Sequence, residues 1–406
     1  MIKVEEIRRD FPFFDKTKLA YLDNSATTQR PRQVVEAVAD YEYYHNANPF
    51  RGLYDLSIDA TERYEEARRK VAKFINAASD TEIIFTRNAS ESLNLAATSL
   101  SELLLEPGDE VITTVAEHHS NMLPWRLNAE KKGATVKYLS TNIKGEFSLE
   151  EFKSLLTPKT KIVAMTAMSN VFGRVNDVKA FAAEAHSVGA VFVADGAQSV
   201  PHSKTDVQDL DVDFIAFSGH KLLSPMGIGV LYGKKEILEK MPVYMSGGEM
   251  IDTVSLEEIT YAPLPHKFEA GTVNAAGAVG LAAAIDYIES IGLDDIEARE
   301  LALTEMALEG MKKIPHVNVL GGDTAAEHHG IITFTVDGVH PHDIADIIAH
   351  DDVAVRAGHH CAEPLHQHLG IPSTTRASLM FYNTEEEVER FLDSVALIRR
   401  LMGFHE

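Results

Sequence analysis

One cysteine, Cys361, stands in a chain of 406 residues. A single thiol excludes an intramolecular disulfide and any zinc site that needs several thiolates. Basic residues are scarce too: 38 Lys and Arg face 61 Asp and Glu, for a formal net charge of -23. A surface this acidic repels phosphate backbones and anionic lipid, which argues against nucleic acid and membrane as partners. No apolar run approaches transmembrane length. The opening MIKVEEIRRDFPFF mixes charges with isolated apolar residues and lacks the core of a secretory signal. A cytoplasmic protein is expected. There is no internal repeat and no low-complexity segment. Adjacent histidines occur at 118–119, 328–329 and 359–360, but neighbours point in different directions on a helix, so no metal site is expected.

What is present is a globular composition, 45% hydrophobic, in a chain long enough for one large domain and a smaller one. From Glu82 onward short apolar runs alternate with helical patterns. Strands are predicted at 82–86, 110–114, 134–139, 161–167 and 190–194, with helices over 90–105, 120–132 and 178–188. Such alternation predicts an α/β fold, a mainly parallel sheet covered by helices on both faces. Ligands in such folds bind beyond the carboxyl ends of the strands. Residues 246–265, with Gly247-Gly248 and two prolines, read as a long loop. Helices are expected over 274–290 and 293–311, the second bridging into a smaller α+β domain. Strands there are expected near 331–336, 353–356 and 376–381, and helices near 342–350 and 384–402.

The stretch SGHKLLSPMG, from Ser218 to Gly227, lies between two strand-like runs. Its lysine, Lys221, is held in a short polar turn and partly desolvated, which lowers an amine's pKa and favours the nucleophilic form. Ser218 and His220 can bind a phosphate. This combination suits a lysine in Schiff-base linkage to pyridoxal phosphate (PLP); a surface lysine on a hairpin has the same local pattern. A PLP ring also needs a carboxylate for its nitrogen. Asp195 ends the run Ala190-Val-Phe-Val-Ala194, and Gln198 can reach the ring hydroxyl; helix capping is the plainer role for Asp195. Arg87-Asn-Ala-Ser-Glu91 opens a helix after a strand, so Ala89 and Ser90 can donate to a phosphate, or the segment can simply be a cap. Glu117-His118-His119 follows another strand, and a histidine there can stack on a pyridine ring and move protons. Cys361 sits in the loop RAGHHCAEP, where Arg356, His359 and His360 are expected to make the surroundings electropositive. Such surroundings lower a thiol's pKa and favour a nucleophile over an inert packed residue. Arg376, placed at the start of a strand, can clamp a substrate carboxylate or make an ordinary ion pair.

With these pieces in order, the chain resembles the class V, fold-type I PLP enzymes, and within them the SUF-type cysteine desulfurases of the SufS kind. The resemblance runs from YLDNSATT through TEIIFTRNASES, AEHHSNMLPW, AMSNVFG, ADGAQSVPH, SGHKLLSPMGIG and FEAGTVNAAG to AVRAGHHCAEPL and RASLMFYNTEEEV. The RAGHHCA segment is its most specific part. The resemblance implies that Lys221 holds PLP and moves the substrate's Cα proton. Asp195 then pairs with the ring nitrogen, Gln198 with the ring hydroxyl, and His118 stacks on the ring. Ala89, Ser90, Ser218 and His220 hold the phosphate, joined by Thr272 from the other subunit of a homodimer. Asn170 and Arg376 fix the carboxylate of L-cysteine, Arg356 shapes the loop, and Cys361 accepts sulfur as a persulfide. The implied domains are an arm (1–22) belonging with a small C-terminal domain (293–406) that carries the cysteine, and a large PLP domain (23–292).

The segment Asp337-Gly-Val-His-Pro-His-Asp343 is similar to desulfurases that work with a zinc-containing SufU acceptor in iron-sulfur cluster assembly. By that likeness His342 exchanges onto the partner's zinc. Two departures stand out. The family's His-Arg-Gly-x-His is Phe50-Arg-Gly-Leu-Tyr54 here, and its Gly-Thr-Thr-Glu is Asn88-Ala-Ser-Glu91. A selenocysteine lyase or cysteine-sulfinate desulfinase on the same fold, and a PLP-free scaffold subunit, are the competing readings.

Overall fold

The computed structural model describes residues 2–50 and 52–404. Arg51, inside the Phe50–Tyr54 departure, lies outside the described residues. Seven strands form the larger sheet: β1 Ile83–Thr86, β2 Glu110–Thr114, β3 Thr135–Leu139, β4 Thr160–Thr166, β5 Val191–Asp195, β6 Phe214–Ser218 and β7 Gly229–Gly233. They lie in the order β1-β7-β6-β5-β4-β2-β3. Within this sheet β7 runs antiparallel to both its neighbours, and the other pairs are parallel. This is the α/β fold expected from the alternation of elements.

Successive side chains on a strand point to opposite faces, and the two apolar layers follow from that. Ile112, Val163, Phe192 and Ile215 pack on one face. Their neighbours Val111, Ile162, Val193 and Phe214 pack on the other. Both β6 and β7 are buried along their whole length, as strands covered on two sides must be. Each large apolar side chain so buried contributes roughly 1.5–3 kcal/mol. Close approach is also built in: a Cβ on Gly229 would lie 2.4 Å from the Asn88 backbone. Only glycine lets β7 pass that turn.

Helices then fill the connections. Helix α1, Ala89–Leu104, is capped by Asn88, whose side chain accepts from the Glu91 N–H. Helix α2, His119–Lys132, ends at Gly133 in the left-handed conformation. The alanine-rich α3, Ala275–Ile291, packs against the helices Arg32–Asp40 and Asp55–Phe74. Gly280 lets the Val38 and Pro225 side chains close in, since a Cβ there would meet them at 2.7 and 2.8 Å.

After α4, Leu293–Met311, comes a four-stranded antiparallel sheet of β8 Val317–Leu320, β9 Ile331–Val336, β10 Arg356–Gly358 and β11 Thr374–Ser378, in the order β8-β9-β11-β10. Helices α5 Pro341–Ala349, α6 Glu363–Leu369 and α7 Glu385–Leu401 accompany it. The chain's beginning is built into this part. Ala20–Tyr21 pairs parallel with Val353–Ala354, and Asp23 bridges to Ser378.

Three expectations need correction. Residues 246–265 are not a plain loop: Ile251–Val254 and Ile259–Tyr261 form an antiparallel hairpin, with Thr253 and Thr260 hydroxyls 2.7 Å apart. The glycines and prolines flank the hairpin rather than interrupt it. The run 353–356 is divided, because Val353–Ala354 pairs with the N-terminal segment and Arg356 with β11. Finally, β11 begins at Thr374, so Arg376 lies mid-strand rather than at the start. The run Leu379–Phe381 is apolar but leaves the sheet, and the Met380 N–H goes to the Asn383 side chain instead.

Candidate active site

Four strands of the large sheet deliver residues to one edge. Asp195 is the last residue of β5. Ser218 ends β6 and leads into the tight turn Gly219–Lys221. Thr166 ends β4, ahead of Asn170. The segment after β2 carries Glu117 and His118, the latter capping α2. The start of α1 comes to the same place, where the Ala89 N–H donates 2.8 Å to Ser218 Oγ. A helix N-terminus presents amide donors and the positive end of its dipole.

These residues line a cavity of about 270 Å³ that also reaches the four-stranded sheet and its loop. From the large sheet come Ala89, Ser90, His118, Asn170, Asp195, Gln198, Ser218, His220 and Lys221. From the other side come Arg356, His360, Cys361 and Arg376. Lysine and cysteine, 140 positions apart in the chain (361 − 221), therefore share one cavity. Two expected residues do not line it. Thr272 is exposed on this chain, and His342 is exposed in the first turn of α5.

Charge is arranged in opposition. Burial pushes the Lys221 amine down to about 8, with Asp195 pulling it up and Arg376 pushing it down. Burial raises the Asp195 carboxyl, against the Ala197 N–H, which donates at 3.0 Å, and against Lys221. Burial, then the charges of Lys221 and His119, take His118 down to about 3. Its ring is therefore neutral, and Nδ1 accepts from the Ser120 N–H at 3.1 Å, which leaves the proton on Nε2.

Arg376 is 3% exposed, and burial lowers its guanidinium to about 10. One Nη donates to the Asn170 carbonyl at 2.8 Å. The other lies 3.6 Å from Asp23. Asp23 also accepts from Arg356 at 2.9–3.2 Å, so one carboxylate orients both arginines. The Asn170 amide donates to the His360 carbonyl at 2.7 Å. Cys361 is exposed, and it and His360 both adopt positive φ, 56° and 52°. Non-glycine residues pay for that conformation, and such strain collects at functional sites. The electropositive loop expected from three basic side chains needs correction. Burial takes His360 down to about 2, so it carries no charge; Arg356 and Arg376 supply the positive field.

Several supporting residues escaped the sequence reading. Asp23 is one. Glu117 is another: its carboxylate accepts from Thr114 Oγ1, the Thr166 N–H and the Asn121 amide at 2.6–2.9 Å. Asn121 in turn accepts from the buried Trp125 indole at 3.0 Å. Burial pushes Glu117 up to about 8. The AEHHSNMLPW run contains all three residues, and the helix expected over 120–132 begins at His119, but Glu117 lies ahead of it and takes two of its partners, Thr114 and Thr166, from the ends of two strands.

The cavity fits a polar guest. Ser25, Gln198, His220, His360 and Arg376 all line it, and each keeps a buried polar atom with no hydrogen-bond partner among the described residues. Buried polar groups are ordinarily satisfied. Those atoms, with an amine of lowered pKa, a buried carboxylate and a helix start, match the aldehyde, ring nitrogen, ring hydroxyl and phosphate of PLP.

A family model for the class V aminotransferases matches residues 20–391. The chain is 46% identical over 412 residues to a probable cysteine desulfurase of Streptomyces coelicolor, covering 99% of each. It is 42% identical over 421 residues to a cysteine desulfurase of Haloferax volcanii, covering 99% of this chain and 98% of that one. Among solved structures, the apo cysteine desulfurase of Thermococcus onnurineus matches with a TM-score of 0.94 at 41% identity, covering 98% of this chain and 99% of that one. An Escherichia coli cysteine desulfurase in its S-sulfonic acid form matches with a TM-score of 0.92 at 38% identity, covering 99% of each chain. By its cavity, its fold and these likenesses, the chain belongs to the class V aminotransferase family and, within it, to the PLP-dependent cysteine desulfurases.

Proposed function

We propose that this enzyme converts L-cysteine to L-alanine, takes the sulfur onto Cys361 as a persulfide, and passes it to an acceptor protein for iron-sulfur cluster assembly of the SUF type. One observation supports this reading above others: Lys221 and Cys361 face a common cavity from two separate sheets. PLP, when bound, supplies an electron sink for negative charge developing at the substrate's Cα. Asp195 holds the charge of the ring nitrogen, and neutral His118 covers the ring. Ala89, Ser90, Ser218 and His220 hold the phosphate, with Thr272 reaching it from a second copy in a homodimer. Asn170 and Arg376 hold the substrate carboxylate, a pairing that suits a planar guanidinium. Lys221 Nζ takes the Cα proton. The Cys361 thiolate then attacks the substrate sulfur; the S–S bond forms, the Cβ–S bond breaks, and its electron pair stays with the carbon, which is protonated to give alanine.

For the acceptor, we take His342 as the residue that meets a zinc-containing, SufU-like protein. It is exposed, with its ring 5.2 Å from that of His340. The test is alanine and sulfide release from L-cysteine, with and without such a protein. Cys361→Ala should abolish turnover, and His342→Ala should spare persulfide formation but remove the acceptor's stimulation. Desulfuration that survives loss of Cys361 would point instead to a thiol-independent lyase. Stimulation that survives loss of His342 would end the zinc-exchange role.

A further inference from the structure

The turn that carries Lys221 is gripped from outside by residues 27–30 of the N-terminal segment. Within the turn, the Leu222 and Ser224 N–H groups both donate to the Gly219 carbonyl, at 2.7 and 3.0 Å. Leu223 between them is buried and holds φ at 59°. That left-handed conformation is strained for a bulky side chain, and it persists only where the surroundings impose it.

Thr28 imposes it. Its Oγ1 accepts from the Leu223 N–H at 3.1 Å, and the residue is buried. An oxygen that accepts there still has one proton to give, and the His220 carbonyl lies 3.2 Å away. One hydroxyl thus spans Lys221, tied to the residue before it and to the second residue after it. The Thr28 N–H and Thr27 Oγ1 donate to the same His220 carbonyl at 3.0 and 3.1 Å. Arg30 completes the grip, donating to Thr27 Oγ1 and to the Thr28 and Ser224 carbonyls at 2.6–3.2 Å. The other end of this segment is fixed on the smaller sheet, next to Arg376. There the Asn24 amide donates to the Ser378 carbonyl at 2.7 Å, and the Ser25 N–H donates to Ser378 Oγ at 2.9 Å.

We infer that Thr28 is a positioning residue for Lys221: its hydroxyl holds the backbone from His220 to Leu223 so that the amine keeps one aim whether or not it is bonded to PLP. Thr28 does not line the cavity and acts only through the turn. A lysine amine rides on a flexible four-carbon stem, so it is aimed only as well as its Cα is held. The amine has to reach the cofactor's aldehyde and, once the substrate has displaced it, the substrate's Cα. This inference rests on the reading of Lys221 as the lysine that bonds PLP.

The test loads PLP onto apoenzyme and follows the visible band as the amine bonds to the aldehyde carbon and water leaves. Thr28→Val keeps the shape and removes the hydroxyl, and Thr28→Ser keeps the hydroxyl. Affinity for pyridoxamine phosphate is measured alongside. It fills the same cavity but carries an amine in place of the aldehyde, so it forms no bond to lysine. Thr28→Val should slow bond formation about tenfold with pyridoxamine phosphate affinity unchanged, and Thr28→Ser should come within about twofold of the unaltered chain. In the loaded enzyme, exchange of the L-alanine Cα proton for solvent deuterium, in which Cys361 takes no part, should slow by a similar factor. Loading at the unaltered rate in Thr28→Val would overturn the inference. So would an equal loss of loading rate and pyridoxamine phosphate affinity, which would show a general packing role. Borohydride reduction and peptide mapping separate the two readings: PLP found on another lysine ends the assignment of Lys221 itself, and PLP on Lys221 with unchanged rates ends only that of Thr28. If Thr28→Val does not fold, Thr28→Cys, whose thiol hydrogen-bonds only weakly, takes its place under the same criteria.

Discussion

The backbone N–H of His119 donates a 2.7 Å hydrogen bond to the main-chain carbonyl of Cys361. The same residue's Nε2 accepts from the Glu363 N–H at 3.2 Å. The nucleophile's loop is thereby pinned from both sides to the first residue of α2, next to His118. A proline is tolerated at the first position of a helix, and His118 is already extended, as a residue before proline should be. His119→Pro therefore removes both contacts while keeping the helix, and His119→Ala removes only the second. Each bond is worth about 1 kcal/mol, so we expect His119→Pro to lower sulfur transfer severalfold beyond His119→Ala, with PLP absorbance intact in both. Equal rates would show that the backbone bond does not hold the loop.

Asp195 sits at the end of a strand with Lys221 as its electrostatic partner. Asp195→Asn keeps the shape and deletes the charge. Turnover should fall on the order of 10²-fold, in the range measured when one fixed electrostatic partner is removed. The visible band of bound PLP should also shift. Near-normal turnover with Asn would mean that the ring nitrogen needs no charge there.

The amine of Lys221 is pushed down to about 8, chiefly by burial. Only the neutral amine attacks an aldehyde, and raising the pH increases it. The neutral fraction goes from about a tenth at pH 7 to about nine-tenths at pH 9, against a free lysine that titrates near 10.4. Reloading of apoenzyme with PLP should accelerate about tenfold over that interval and level off above it. A rate still climbing steeply past pH 9 would mean that burial does not tune this lysine.

Arg68 and Glu269, 0% and 5% exposed, form a paired set of hydrogen bonds at 2.7 and 2.9 Å. Glu269 also accepts from Tyr64 OH at 2.9 Å and the Phe85 N–H at 2.7 Å. Removing one partner leaves a buried charge exposed to no solvent and no counterion. Arg68→Ala should cost about 3–5 kcal/mol, read as a lower urea midpoint. Adding Glu269→Gln should recover part of the loss, and a purely additive double variant would show the two do not act as a pair.

How much was legible follows from where each signal lives. Asp195, Ser218 and Lys221 announce themselves locally, because strand residues and turn residues around them are distinct. Arg376 lies mid-strand rather than at the start because the strand already begins at Thr374, two residues ahead of the expected bound. Asp23 carries no local sign of its role, and Glu117 and His119 show in the sequence only as neighbours of His118. Each works through a partner remote in sequence or through a helix boundary, and composition carries neither. The neutrality of His360 was unreadable for the same reason: a histidine's charge depends on its burial and on which arginines surround it.

The order of residues along the chain was enough to determine the alternating strands and helices, the buried parallel sheet and the edge at which ligands gather, because periodicity and turn chemistry are local properties. Tertiary structure alone decided that Cys361 and Lys221 share one cavity and that one carboxylate at Asp23 aims two arginines. Those outcomes depend on distances between segments far apart in the chain, and such distances exist only after the chain has packed.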